Sequence, residues 1–400
     1  MKNMENKILK FPKDFLWGVA TSAYQVEGGC DNNDWYEWEK KEKTKDMAGK
    51  ACDNWNRYSE DHNLAEELGC NAFRLSLEWS KIEPEEGKFS EEAIEHYRKV
   101  LQDIKSKGMM RSVTLWHWTL PIWLSEKGGW HKKETIAYFV RYCEKVIKEL
   151  GEEIDQLVVF NEPRLPLNRG YIVGDFPPGK HNPIAFFKAR LNMVEAYKQC
   201  YILVKKIKKD LPVGITQFCN DFDFYNYKIP SFITEKIESF YNWYFFDELK
   251  NHYDFIGLNY YFAIQIMFKP PFHKMQTINE EITDFKWGVF PEGLHEIVMN
   301  AWKRYKKPIY IFENGIANAK DDHRTAFIKN HLQKLHQAIL EGADVRGYFH
   351  WSLVDNFEWL EAYNMKFGLV EVDFETLERK PRKSFYEYAK ICKSNELEIK

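Results

Sequence analysis

Eight short apolar runs, spaced almost evenly along the chain and each followed by a segment of helical period, constrain this sequence more than any other feature. The runs are FLWGVA (15–20), NAFRLSL (71–77), RSVTLW (111–116), DQLVVF (155–160), PVGITQ (212–217), DFIGLN (254–259), PIYIF (308–312) and VRGYFHW (345–351). Each is rich in β-branched and aromatic residues and is bounded by Gly, Pro, Asn or Asp, which is how a strand reads in sequence. Consecutive starts lie 56, 40, 44, 57, 42, 54 and 37 residues apart, room in each case for a strand, a helix and two loops.

Helical period fills the intervals, over 54–68, 90–108, 133–150, 183–209, 233–249, 291–305, 322–341 and 382–392. In the second of these Ile94, Val100, Leu101 and Ile104 share one face, with Ser90 as N-cap and Gly108 as the stop. Strict alternation of strand and helix implies a parallel sheet, since parallel neighbours need a crossover between them. Eight repeats of the unit predict an α/β chain folded as a single (β/α)8 TIM barrel rather than an open doubly wound sheet. No linker rich in Gly, Ser or Pro divides residues 1–400, so the chain reads as one catalytic domain. Its longest stretch without a predicted element, 262–290, contains Pro270 and Pro271 and joins the sixth strand to its helix. Loops of that length are usually functional or mobile.

Composition narrows the function classes. With 44% hydrophobic and 29% charged residues and a net charge of -3, the chain is neither disordered nor fibrous, and it has no basic bias to attract nucleic acid. The run KKIKK (205–209) reads as a solvated helix face. No apolar run approaches the roughly 18 residues that span a bilayer, and the lysine-bearing start lacks a following apolar segment, so neither a membrane partner nor a signal peptide is expected. Seven scattered cysteines without a Cys-x-x-Cys pair fit reduced thiols and a cytoplasmic location. The oligomeric state is left open, a homo-oligomer included.

The 14 tryptophans stand out, because several keep polar company: Trp116, Trp118, Trp123 and Trp130, then Trp351 and Trp359. A wall facing a sugar accounts for such a set better than a core alone. Barrel enzymes draw their sites from the C-terminal ends of the strands. There this chain places Gln25, Glu78, Trp79, His117, Trp118, Asn161, Glu162, Asn259, Tyr261, Glu313, Asn314 and Trp351. Two of the carboxylates follow strongly apolar strands, in VVF-NEP (158–163) and YIF-ENG (310–315). Either motif alone is ordinary turn chemistry, but strands four and seven face each other across a barrel mouth.

Opposed carboxylates suit glycoside hydrolysis, a dicarboxylate metal site or shared-proton catalysis. His117 is the only strand-end histidine, and His331 and His336 are five apart on a helix, so no metal and no cofactor is expected. The shared-proton arrangement needs near contact between unrelated loops. A glycosidase is the reading left.

The same residues resemble glycoside hydrolase family 1, the β-glucosidase type, from Phe11 to about Tyr388. FLWGVATSAYQVEGG (15–29) is similar to the family's N-terminal signature, NEP (161–163) to its acid/base motif, ENG (313–315) to its nucleophile motif and WSLVDNFEW (351–359) to its sugar-recognition segment. The resemblance implies a retaining mechanism with Glu313 as nucleophile and Glu162 as general acid/base, with carboxyl groups about 5 to 5.5 Å apart. The pKa of Glu162 is expected to be raised by the charge of Glu313 and by partial burial. Arg74 would keep Glu313 ionised. Gln25, His117, Asn161, Glu358 and Trp359 would bind sugar hydroxyls over Trp351, with Asn161 at the 2-hydroxyl. Asn259 and Tyr261 would support the nucleophile, and Trp118 and Trp123 are equally suited to core, wall or sugar contact.

The acid at Glu358 would repel a phosphorylated sugar. Neutral small-molecule β-glycosides with a terminal non-reducing β-D-glucosyl, β-D-galactosyl or β-D-fucosyl residue are therefore favoured. A transglycosylase using the same site, or a sugar-binding pseudoenzyme, are the alternatives. Two departures from the family pattern stand out: Phe312 precedes the nucleophile where a smaller residue, often Thr, is usual, and Thr119 stands where Asp is common. Shortened loops at 164–182 and 262–290 put the leaving-group side in question.

Overall fold

The computed structural model describes residues 7–223, 231–269, 272–277 and 283–399. Eight parallel strands close into a barrel: β1 (Leu16–Ala20), β2 (Ala72–Ser76), β3 (Met110–Trp116), β4 (Gln156–Asn161), β5 (Val213–Phe218), β6 (Phe255–Asn259), β7 (Ile309–Asn314) and β8 (Val345–Trp351). All eight predicted runs form strands of this barrel. Ring closure comes from β8 pairing with β1, Gly347 beside Leu16 and Trp351 beside Ala20. Among the described residues no helix is long and apolar enough to cross a membrane.

Burial on both faces explains why the strands read as continuous apolar runs rather than alternating ones. Alternate side chains leave the barrel and pack under the helices: Val113, Leu157, Val159, Ile215 and Ile311 belong to one large shell core. Their neighbours point inward and form a second, smaller core of Ala20, Ala72, Val158, Phe255, Phe312 and Phe349 below Tyr261 and Trp351. Large rings inside a narrow barrel need small partners. A Cβ on Gly18 would lie 2.4 Å from Phe349 Cδ1, on Gly214 2.3 Å from Phe255 Cε2, and on Gly257 2.6 Å from Phe312 Cδ2. Three phenylalanines thus nest over three glycines, the alternation of large and small that fills a barrel interior.

The predicted helices form with small shifts. Glu91–Ser106 is capped by Ser90 Oγ, which accepts from Ala93 N at 3.1 Å, and Gly108 takes φ +74° just beyond it. Asn182 caps Pro183–Ile207, with proline at the first turn where its missing N–H costs nothing. The segment expected as one helix over 233–249 divides into Ser231–Glu238 and Tyr244–Leu249 around a π-helical Ser239–Trp243. After β4, Arg164–Asn168 is helical and Arg169–Val173 is π-helical, where only a loop was expected.

The stretch 262–290 also departs from expectation. Ile264–Lys269 and Phe272–Thr277 pair antiparallel, and Phe222–Asp223 joins them as a third strand. The stretch was expected to be an irregular loop; prolines 270 and 271, which lie outside the described residues, are a residue type that strand interiors exclude. At the opposite end of the chain Lys7–Lys10 pairs antiparallel with Glu396–Ile399, joining the two termini.

Gly18→Ala should destabilise the protein by about 1–3 kcal/mol through overpacking, because the new methyl would also stand 2.9 Å from Ala72 O, which cannot swing away. Thermal denaturation of the variant checks this; an unchanged midpoint would show that the interior is looser than it looks.

Candidate active site

Irregularities in the ladder re-aim the side chains where the strands end. Register shifts fall between Val158 and Asn161 on the β4–β5 pairing and between Ile311 and Glu313 on the β6–β7 pairing. Such bulges redirect side chains at barrel rims. Glu162 follows in left-handed backbone at φ +45°, its N–H held by Thr216 O at 2.8 Å. Trp118 (φ +81°) and Trp359 (φ +51°) share that conformation, which is costly for residues with a Cβ and concentrates at functional sites.

These ends surround a cavity of about 240 Å³. Gln25, His117, Asn161, Glu162, Tyr261, Glu313, Trp351, Glu358 and Trp359 all line it, so nine of the sequence-predicted site residues come together at one place. Arg74 and Asn259 stand behind the lining and hold it. Arg74, 1% exposed, donates from Nη1 to Glu313 Oε1 and from Nη2 to Asn161 Oδ1, both at 2.6 Å. Asn259 Nδ2 donates to Glu162 Oε1 at 2.6 Å and to Asn161 Oδ1 at 3.3 Å. Tyr261 donates its hydroxyl to Glu313 Oε2 at 2.7 Å. The two carboxylates are therefore held in one network that meets at the Asn161 amide.

That network also fixes the state of His117. Because Asn161 Oδ1 accepts from Arg74 and Asn259, its Nδ2 is the donor toward His117 Nε2 at 3.1 Å. The ring proton is left on Nδ1, which is buried without a hydrogen-bond partner. Burial, aided by the Arg74 charge, holds this imidazole well below its ordinary pKa and so neutral. Gln25 Oε1 accepts from Ser22 Oγ at 2.6 Å, while its Nε2 faces Phe357 O, Asn356 Oδ1 and Glu358 Oε2 at 2.9, 3.0 and 3.2 Å. The β1 end is thereby fastened to the loop that carries Glu358.

Three carboxyls share the cavity, and burial governs their charge. Loss of hydration pushes Glu162 up to about 8, with repulsion from Glu313 second and the Asn259 hydrogen bond opposing. Burial is nearly complete rather than the partial burial expected, 4% of the residue being exposed, and it outweighs the neighbouring charge. Glu358 is likewise pushed to about 8, by burial first and the Glu313 charge second. Among the described residues neither has an ionic partner, whereas Glu313 has Arg74.

Some expectations fall elsewhere. Trp118 is wall: it lines the cavity, donates from Nε1 to Asn161 O at 3.1 Å and packs 4.6 Å from Trp359. Trp123 is remote, donating to Glu83 O and packing on Trp79 and Tyr138. Glu78 and Trp79 leave the strand end for the shell, Glu78 accepting from Ser80 Oγ at 2.6 Å and Thr119 Oγ1 at 2.9 Å. Asn314 spans Tyr260 O and the Tyr348 hydroxyl as a structural tie.

Sequence reasoning missed the outer wall, built by Leu165, Arg169, Phe218, Phe262, Phe285 and Trp287. Trp287 stacks on Phe285 at 4.2 Å and on Phe262 at 4.7 Å. Phe218 ends β5, Leu165 and Arg169 lie on the helical turns after β4, and Phe262, Phe285 and Trp287 sit in the stretch after β6; no motif marks any of them, and only the leaving-group role expected of 164–182 and 262–290 pointed that way.

A closed parallel barrel whose strand ends converge on opposed carboxylates, neutral amides and indoles is the architecture of a glycoside hydrolase. The family model of glycosyl hydrolase family 1 matches residues 8–247 and 244–397, and the chain belongs to that family. It is 31% identical to β-glucosidase A of Thermotoga maritima, over 98% of this chain and 99% of that one. It is 30% identical to a β-galactosidase of Sulfolobus acidocaldarius, over 97% and 96%. A solved β-glycosidase from Pyrococcus horikoshii superposes with a TM-score of 0.92 at 38% identity, covering 98% of this chain and 97% of that one.

Removing the cation should strand a buried charge. Arg74→Met is expected to cost about 3–5 kcal/mol of stability, and adding Glu313→Gln to it should restore a large part; denaturation midpoints of the single and double variants measure this coupling.

Proposed function

We propose that this chain, acting as one catalytic domain, is a retaining β-glycosidase that releases terminal non-reducing β-D-glucosyl residues, and β-D-galactosyl or β-D-fucosyl residues, from small neutral glycosides. The observation that carries this reading is the unequal treatment of two carboxyls in one cavity. Glu313 is ion-paired with Arg74 and hydrogen bonded by Tyr261, while Glu162 is buried, without an ionic partner among the described residues, and pushed up to about 8. A nucleophile needs the first environment and a general acid the second.

In the first step Glu313 attacks the anomeric carbon as Glu162 gives its proton to the departing oxygen. Asn259 donates to Glu162 Oε1, so the proton resides on Oε2. Esterification of Glu313 removes the negative charge that helps hold Glu162 protonated. Its pKa then falls, and it can take a proton from the water that attacks the glycosyl-enzyme. His117 Nδ1–H and the Asn161 amide offer hydrogen bonds to ring hydroxyls, with Glu358 and Gln25 doing the same across the cavity. The Trp351 indole covers the apolar face of the pyranose.

Neutral sugars suit this lining, since among the described residues Glu358 has no cation paired with it that could offset the charge of a phosphate. On the leaving-group side, Phe218, Phe262, Phe285 and Trp287 favour apolar aryl or alkyl aglycones over charged ones. All seven cysteines are buried free thiols, which supports a reducing, cytoplasmic setting.

Proton NMR of an aryl β-D-glucoside during early cleavage should show β-glucose first. Initial α-glucose would mean inversion, and with it a different role for Glu313. The kcat/KM profile should decline as pH rises through about 8, because the free enzyme then loses the Glu162 proton. In Glu162→Gln, assayed on an activated aryl glucoside, that decline should vanish; if it persists unchanged, it belongs to another group such as Glu358.

A further inference from the structure

We infer that Phe312 is a positioning residue for the nucleophile, acting through Arg74: its ring is the seat on which the guanidinium rests. This rests on the retaining reading above. Arg74 spends both Nη groups on hydrogen bonds, to Glu313 and to Asn161, with a third contact from Nη1 to Phe312 O at 3.4 Å. Its remaining donor, Nε, is buried with no partner. A buried cation with an unmet donor is expensive, and what lies against it is an aromatic face: Arg74 Cζ stands 5.2 Å from the centroid of the Phe312 ring. An aromatic ring at that distance attracts a cation through its negative face, the more so where water is excluded. Phe312 itself is fully buried.

The barrel is shaped around this ring. Gly257 is the only residue type that leaves room for it, since a Cβ there would meet Phe312 Cδ2 at 2.6 Å and Thr216 Oγ1 at 2.4 Å. Tyr310 stacks on the ring at 5.6 Å and 14°, and Phe349 and Phe255 flank it at 5.2 and 5.9 Å. The ring therefore has little freedom, and the guanidinium above it cannot sink into the barrel. A threonine at 312 would have neither the bulk nor the face to do this.

The charged and titratable groups around the pair are Glu313, Glu162 and Glu358 with Tyr261 and His117 on the cavity side, and Tyr310, which stacks on the ring and whose hydroxyl burial pushes up, away from the working range. No ring contact joins Phe312 to the cavity groups among the described residues, so a change at 312 reaches them through Arg74. Loosening Arg74 loosens the cation that faces the attacking carboxylate, and an opposite charge held close is what favours the charged form of a carboxyl.

Phe312→Leu keeps apolar bulk and removes the aromatic face. For 4-nitrophenyl β-D-glucoside, kcat/KM should fall about tenfold, and the rate of covalent inactivation by a 2-deoxy-2-fluoro-β-D-glucosyl fluoride should fall in parallel. The acidic limb of the kcat/KM profile should move to higher pH, while KM changes little. A purely structural role would lower the melting temperature and leave the pH profile where it is. Phe312→Met is the second variant should the leucine form fail to fold. A folded variant with kcat/KM within twofold of the parent and an unmoved acidic limb would overturn the proposal. Failure of the retaining reading would show separately, as initial α-glucose from the unaltered enzyme.

Discussion

The contact between Arg74 and Glu313 is the constraint around which the rest of the site is arranged. Both are almost wholly withdrawn from water, and a buried ion pair is tolerable only when its geometry is good and its remaining polar atoms are met. Here β2 supplies the cation and β7 the anion, so the pair spans the barrel interior. The second Nη of Arg74 reaches Asn161 on β4, and Asn259 on β6 closes the circuit through Asn161 to Glu162. Four strands are thus tied at their C-terminal ends by polar contacts that only a closed barrel can bring into register.

Among the described residues Arg74 is the one cation paired with any of the three carboxyls, Arg169 of the outer wall being paired with Asp175, and this has a further consequence. Glu313 can keep its charge because Arg74 balances it, and each additional negative charge in the same dry space would have to stand unbalanced. Glu162 and Glu358 respond by holding their protons up to about 8. Near neutrality the cavity therefore carries one ion pair and two neutral acids. Differentiation of chemically identical side chains follows from where the guanidinium is, without any special feature of the carboxyls themselves.

Much of this was legible in the sequence. Strand positions came from apolar runs with turn residues at their bounds, and a parallel barrel from the spacing. Gln25, His117, Asn161, Glu162, Glu313 and Trp351 were identifiable because they sit within a few residues of a strand end, where chain order and spatial order coincide. Legibility failed where that coincidence ends. Glu78 and Trp79 follow a strand but turn under the helices, since nothing local dictates which way a short helical turn faces. Phe262, Phe285 and Trp287 reach the cavity from loops whose course depends on tertiary packing, and the hairpin after β6 was hidden by two prolines that break the pattern of a strand. The degree of burial of Glu162, which dominates its proton affinity, is likewise set by residues far away in sequence.

The nesting of Phe255, Phe312 and Phe349 over glycines closes the barrel axis from below, and this bears on traffic. A reaction in which an aglycone departs before water attacks the remaining half needs an exit and an entrance. With the floor filled by rings, the described lining leaves the strand-end mouth as the route for both. The aglycone must then clear the same aromatic vestibule through which the incoming water, or a competing sugar alcohol, arrives. On the retaining reading proposed above, a leaving group that lingers against Phe262 and Trp287 would lengthen the wait of the glycosyl group and decide which acceptor reaches it first.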